Sequence, residues 1–416
     1  MEEFSSNKLR ELLSDMTNMD QNCLMIPLFS RDTVDELWEA FEQEESNDFA
    51  RMRFFQLLLI AFGAEGSYAA RIRSSEVHYP LPCWPKTDTL ILNKQFRTMP
   101  YGVVSQLAEA LSIRRLVVED AGALPAVFDM DFNLMASQIV SVEFKDLESD
   151  YQLNSTLYSS PYLEELSFIW VKGNVLTRDF SRLSGLRKLK IVHCLVLNGI
   201  SLLPLSLEYL KISHARFGSF EFSTLPKNIR VLNLSHNNLK EVIGADSLTL
   251  LHDLDLSNNQ LGTLDLGSLP ASLEALNLRS NRIERIVGNF DGRENLQFLD
   301  LGHNALNEFP SGLERLTGLN ELLLSNNFLE EISGGIGNLT LLERLDLRKN
   351  RLRSLPNSLS NLNRLLYLDL EDNLLTEVFR LLSKADWDDA TVRLRGNPLH
   401  QERRKLYTLN HQRIEL

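Results

Sequence analysis

Cysteine is scarce in this chain of 416 residues: Cys23, Cys83 and Cys194 stand far apart and form no C-x-x-C pair. An odd number at such separations excludes a disulfide framework and points to a reduced compartment. Long apolar runs are missing as well. The most apolar window, Phe54 to Ala64, is about half of the ~20 residues that a membrane span needs, so it reads as a buried helix and no membrane span is expected. Basic charge is in deficit, with 43 Lys and Arg against 56 Asp and Glu and a net charge of −13. Such a surface repels nucleic acid and anionic lipid. The first twenty residues have neither the basic start nor the apolar core of a secretory signal peptide, so a cytoplasmic protein is expected. The sequons at Asn154, Asn233 and Asn338 are then chance matches. No glycine-rich phosphate loop, H-E-x-x-H, G-x-S-x-G or paired zinc-ligand motif occurs, so neither an enzyme nor a metal or other cofactor is expected.

What the chain has instead is a repeat. The pattern L-x-x-L-x-L-x-x-N-x-L starts at Leu163, Leu186, Leu207, Ile229, Leu251, Leu273, Leu296, Leu319, Leu342 and Leu365, in steps of 21 to 23 residues. Weaker units lie upstream around Leu90/Leu92, Ile113/Leu116/Val118 and Ile139/Val142/Phe144. Within one unit, Leu232 and Leu234 alternate with outward residues, as a short strand requires. Stacked units pair these strands into one parallel sheet. The column Asn237, Asn259, Asn281, Asn304, Asn327, Asn350 and Asn373 sits where the chain leaves the sheet, so its amides are expected to bond backbone groups there. Val171, Cys194 and Ala215 hold the same position upstream, which predicts a less regular first half. Segments such as 309–316 and 355–362 have helical or 3₁₀ spacing and belong on the opposite side. Strands pack at ~4.8 Å and helices need about twice that, so the fold class is an α/β solenoid, a horseshoe with the sheet inside.

Three domains follow. Residues 1–76 read as an α-helical N-terminal cap with helices at 6–16, 33–45 and 48–62; 77–400 form the solenoid, irregular to about 160 and regular over 163–390; 401–416 form a C-terminal cap, a polar and partly helical lid after Pro398. The outward strand positions carry scattered aromatics and a change of charge. Trp170, Lys188, Lys190, His193, Tyr209, Lys211, His214, His236, Asp255, Phe298, Asp300 and Tyr367 are the candidate partner-binding residues: aromatics and well-placed charges carry most interface energy. Histidine recurs at the eighth position (His193, His214, His236, His303), where a stack could sense pH or hold a metal; other units put Trp170, Asn258, Ser280, Asn326, Lys349 or Asp372 there, which favours plain solvent exposure.

On these residues the chain is identified as resembling the leucine-rich-repeat family over roughly 85–400. The units at Leu203-Pro-Leu-Ser-Leu-Glu, Leu225-Pro-Lys-Asn-Ile-Arg and Leu269-Pro-Ala-Ser-Leu-Glu resemble the L-P-x-x-L-x-x-L repeats of effectors that intracellular bacterial pathogens, such as Legionella, inject into host cells. Those from Leu296 onward resemble the 23-residue type of Ras-associated and plant proteins. The resemblance implies a monomeric secreted effector that grips a host protein in host cytosol through its concave face. The chain departs from the ubiquitin-ligase effectors in ending just after its cap. A scaffold or regulatory subunit for a phosphatase or small GTPase is the alternative. An enzyme working through the N-terminal segment, where Cys23 stands alone, is a third.

Overall fold

The computed structural model describes residues 89–92, 114–119, 139–146, 157, 160–171, 179–194, 202–382, 385, 387, 389–400 and 414–415. The helices expected within 1–76 lie outside the described residues. By contacts the chain divides into two compact units, Met1–Leu195 with Ile200–Ser206, and Val196–Gly199 with Leu207–Leu416.

In the first unit, β1 (Thr89–Leu92), β2 (Arg115–Glu119), β3 (Ser141–Lys145), β4 (Glu165–Ile169) and β5 (Lys188–Val192) pair in chain order, all parallel and in register. The weak upstream units are therefore strands of the same kind. Their inward residues Val142, Phe144, Leu166, Phe168, Leu189 and Ile191 are fully buried. Phenylalanine takes the second inward place twice, and Phe144 stacks on Phe168 at 5.4 Å.

The second unit runs β6 (Tyr209–Ser213), β7 (Val231–Asn233), β8 (Asp253–Asp255), β10 (Ala275–Asn277), β12 (Phe298–Asp300), β13 (Glu321–Leu323), β14 (Arg344–Asp346), β15 (Tyr367–Asp369), β16 (Thr391–Arg393) and β17 (Ile414–Glu415) as neighbours in one parallel sheet. A two-stranded sheet of β9 (Thr263–Asp265) and β11 (Arg285–Val287) stands apart from it. Two leucine columns fill the interior, among them Leu254, Leu276, Leu299 and Leu322 with Leu256, Leu278, Leu301 and Leu324, each at most 2% exposed. Such burial contributes about 2 kcal/mol per side chain, and the stacking of coils is what makes it complete.

Opposite the sheet the connectors are 3₁₀ turns: Phe222–Thr224, Ala245–Ser247, Leu266–Ser268, Leu313–Arg315, Gly334–Asn338 and Asn357–Asn361, with one α-helical turn at Phe379–Leu382. The described part is therefore a parallel-strand β-solenoid rather than the α/β structure expected. A 22- or 23-residue period leaves too short a return leg for a real helix, and 3₁₀ geometry covers more length per residue. Close stacking dictates single residues here. A Cβ at Gly318 would lie 2.1 Å from the carbonyl oxygen of Glu294, so only glycine fits. Of the expected C-terminal cap, only Ile414 and Glu415 lie among the described residues. Ile414–Glu415 returns as the last strand, Glu415 taking the N–H of Leu394 at 2.7 Å and the guanidinium of Arg393 at 2.9 Å. Otherwise the edge N–H would lack a partner.

The asparagine ladder behaves as its position predicts. In Asn304, Oδ1 accepts the N–H of Ile283 at 3.0 Å, while Nδ2 donates to the carbonyls of Leu278 and Leu301 at 3.0 Å each. The same triple bond recurs from Asn237 through Asn373 and once more at Asn397. Strand length follows it. Units whose ladder residue is Val171, Cys194 or Ala215 have five-residue strands, and those with asparagine have three, because the amide takes over carbonyls just past the strand. Cys194 fills the place with a weak thiol donor, its Sγ 3.5 Å from the carbonyl of Val192.

One further column was not legible in advance. The eighth position of each unit is left-handed: Asp146, Trp170, His193, His214, His236, Asn258, Ser280, His303, Asn326, Lys349 and Asp372 all have φ of 54–58°. That turn aims the residue's own N–H at the next coil, as in His303 N–H to Ser325 O at 2.7 Å and Lys349 N–H to Glu371 O at 2.8 Å. Asn, Asp and His tolerate this backbone, whereas Lys and Trp gain nothing from it.

Two substitutions test this scheme by urea denaturation. Asn304→Ala strips three buried backbone groups of their partners and is expected to cost about 3 kcal/mol, at roughly 1 kcal/mol or more per group; a loss under about 1 kcal/mol would mean the ladder is decorative. Lys349→Asn keeps the exposed position but suits the left-handed turn, and should gain about 0.5–1 kcal/mol.

Candidate interaction face

Outward side chains of each three-residue strand form two columns. In the second, Asn233, Asp255, Asn277, Asp300, Asp346 and Asp369 each turn Oδ1 back to accept the N–H two residues on, at 2.7–3.2 Å. The polarity of this column is thus partly structural: it secures the backbone as the chain leaves the sheet. Asp300 is accordingly 4% exposed, which corrects its expected place as a solvent-facing contact; its second oxygen lies 3.7 Å from Arg279. Lys211 and Leu323 occupy the column without making this bond.

The first column shapes a depression of about 350 Å³ lined by Tyr209, Val231, Asn233, Asp253, Asp255, Ala275, Asn277 and Phe298. Tyr209, Asp255 and Phe298, three of the candidates, meet here. Asp253 was not among them, although the Asp-x-Asp spelling on β8 signals two carboxylates on one face of a strand. Asp255 is engaged by Ser257 N–H and by Asn233 Nδ2 at 2.7 Å. Burial first, and then Asp255, raise the carboxyl of Asp253 above its ordinary value. Burial and the same two aspartates push the Tyr209 phenol up, so it stays a neutral hydrogen-bond donor at physiological pH.

The remaining candidates fall into separate groups. In the first unit the exposed Trp170 lies flat on His193, ring centroids 3.7 Å apart, and Lys188 pairs with Glu165 at 3.4 Å; Lys190 lies two residues on along β5. In the second, His214 stacks on His236 at 4.2 Å beside Lys211. The left-handed turn stands each of these rings on edge, so a polar column became two aromatic stacks. Among the described residues no group of three or more His, Cys, Asp or Glu is arranged to hold a metal ion. Tyr367 donates to Asp369 at 2.9 Å, accepts from Arg393 at 2.8 Å and lies between the guanidiniums of Arg344 and Arg393, which makes it a fixture of the sheet end. Burial pushes the Cys194 thiol up to about 11, so it stays protonated and unreactive. Among the described residues no helix is long and apolar enough to cross a membrane.

Burial raises the Asp300 carboxyl, with the Gly302 N–H and Arg279 offsetting it only in part. A raised folded-state value means that the carboxyl favours folding below its unfolded pKa of ~3.9 and that this contribution is lost as pH rises through the folded value. Asn233 and Asn277 make the same backbone bond in neighbouring coils. Asp300→Asn is therefore expected to raise the urea midpoint at pH 7 and to lose that advantage by about pH 4; an equal effect at both pH values would exclude charge burial as its cause.

Comparison with known proteins agrees with this geometry. A leucine rich repeat family model matches residues 249–306 and 317–375, and a second model of the same repeat matches 228–249. No curated protein matches the chain's sequence. Among solved structures, the leucine-rich-repeat protein LIC12759 of Leptospira interrogans superposes with a TM-score of 0.56 at 21% identity, over 79% of this chain and 95% of that one. A chain of the LRIM1/APL1C complex gives 0.54 at 24% identity, over 69% of this chain and 51% of its own, so this chain spans about half its length. These identities bear on fold alone. Residues 228–306 and 317–375 thus carry leucine-rich repeats, the parallel-strand architecture around them is of the same fold, and repeats of this kind typically serve protein–protein interaction.

Proposed function

We propose that this chain is a binding module for a protein partner, and that it works as a secreted bacterial effector gripping a host protein in host cytosol. The observation that carries the binding reading is the depression between Tyr209 and Phe298, where aromatic side chains flank carboxylates on a rigid sheet face. Half-buried aromatics beside unneutralised charge are what interface hot spots are made of. A sheet whose coils from Asn237 onward are each pinned by a buried amide offers them at little ordering cost. Trp170, His193, Lys188 and Lys190 form a second contact patch in the first unit, and Lys211, His214 and His236 a third beside the depression. Asp300 and Tyr367 support the face from beneath and from its end.

The effector role rests on the L-P-x-x-L-x-x-L units at 203–208, 225–230 and 269–274. Residues 1–76 then serve as the cap or as a further domain of a monomer. The 23-residue units after Leu296 favour one alternative, a scaffold or regulatory subunit acting in its own cytosol.

Affinity capture from host-cell lysate separates these. A variant with Tyr209→Ala, Lys211→Glu and Phe298→Ala should retain its fold and lose at least tenfold of one wild-type partner. An unchanged partner list would move the binding site off this face. Recovery of partners from the cognate bacterial lysate alone would replace the effector reading with the scaffold.

A further inference from the structure

The depression has a length and a spacing that specify more than its charge. Along the first outward column, Tyr209 on β6 and Phe298 on β12 bound it, with Val231, Asp253 and Ala275 on the three strands between. Four strand steps of ~4.8 Å put the two rings about 19 Å apart, and Asp253 stands midway, about 9.6 Å from each. Val231 and Ala275 are short, so they form the low floor on either side of the carboxylate.

Charge complementarity defines what this site lacks. Both carboxylates of β8 face the depression, and no cation among the described residues forms an ion pair with either. Asp255 is held by Ser257 and Asn233, whereas the carboxylate of Asp253 makes no hydrogen bond among the described residues. A partially buried carboxylate with a like charge beside it is relieved by an arriving guanidinium or ammonium group.

Peptide geometry decides the conformation of such a ligand. In an extended β-strand, residues three apart point to opposite faces, so it cannot set three side chains on one line at 9.6 Å intervals. A polyproline II helix has three residues per turn and a rise of 3.1 Å, so every third side chain shares one face at about 9.3 Å. We propose that this depression receives a polyproline II segment of the partner protein with the pattern apolar-x-x-Arg-x-x-apolar, its central base on Asp253 and its apolar ends against Tyr209 and Phe298. The inference rests on the reading of this face as the binding site. The bound segment runs across the strands, with its backbone exposed and its cost of ordering small because that helix is preformed.

The probe is a fluorescein-labelled peptide, acetyl-Leu-Pro-Pro-Arg-Pro-Pro-Leu-amide, followed by anisotropy against the full chain at low salt. Saturable binding is expected. It should weaken at least tenfold when the central arginine is glutamate, when the spacing is cut to Leu-Pro-Arg-Pro-Leu, and when the protein carries Asp253→Asn. That variant removes a carboxylate that makes no side-chain hydrogen bond and whose ionised form burial and Asp255 disfavour, so its urea midpoint at pH 7 should be no lower than that of wild type and show the fold to be intact. No saturable binding, equal affinity for the glutamate peptide, or equal affinity of Asp253→Asn would each overturn the proposal. If the peptide fails while the triple variant Tyr209→Ala, Lys211→Glu, Phe298→Ala still loses its captured partner, the face stands and this ligand does not. If both fail, both readings fall.

Discussion

A single buried amide in each regular coil, from Asn237 onward, governs this molecule. Each ladder asparagine accepts one backbone N–H and donates to two carbonyls that belong to successive coils, so one side chain replaces the hydrogen bonds that the backbone forgoes where it bends away from the sheet. Leaving three such groups buried and unmet would cost about 3 kcal/mol, more than one buried leucine returns. Where the residue is Cys194 or Ala215, the strand runs on for two more residues and keeps its own partners. The amide thus decides how wide the sheet is.

The left-handed residue beside the amide is the second half of the same device. It swings the chain inward, sends one more N–H to the next coil, and leaves its own side chain standing at the margin of the sheet. Histidine and tryptophan at that place stack into pairs, Trp170 on His193 and His214 on His236, because the turn repeats along the coils. A backbone necessity therefore creates an aromatic border. The second outward column is similarly double in nature: its aspartates and asparagines hold the exit turn, and only what remains of their charge is available to a partner. In Asp300 and Asp369 almost nothing remains; in Asp255 enough does.

Binding surfaces on such a scaffold come from side-chain choice at positions that the fold leaves open. The first outward column is the most permissive, since no backbone bond depends on it. A large ring at Tyr209, short side chains at Val231 and Ala275, a carboxylate at Asp253 and a second ring at Phe298 make a depression out of a flat sheet. Its rigidity follows from the leucine columns and the ladder beneath, so a ligand meets a preformed site.

The repeat, the strand positions, the inward leucines and the asparagine column were all legible in the sequence, because each recurs at a fixed period and the physical demand on it is the same in every coil. Even the weak strands at 89–92, 115–119 and 141–145 could be read from alternating apolar residues alone. The eighth position was visible as a column, but its left-handed backbone was not read there, although eight of its eleven residues are His, Asn or Asp, the types that tolerate it: Trp170, Ser280 and Lys349 in the same place blur the signal, because the constraint acts on the backbone and any side chain can meet it at some cost. The return of Ile414–Glu415 as a strand and the withdrawal of Asp300 were likewise decided in three dimensions, by an edge N–H that needs an acceptor and by an N–H two residues away that captures a carboxylate. The pairing of Asp253 with Tyr209 and Phe298 depends on residues 44 and 45 positions apart being brought onto one face. Sequence sets the period, and stacking at ~4.8 Å turns distant letters into neighbours.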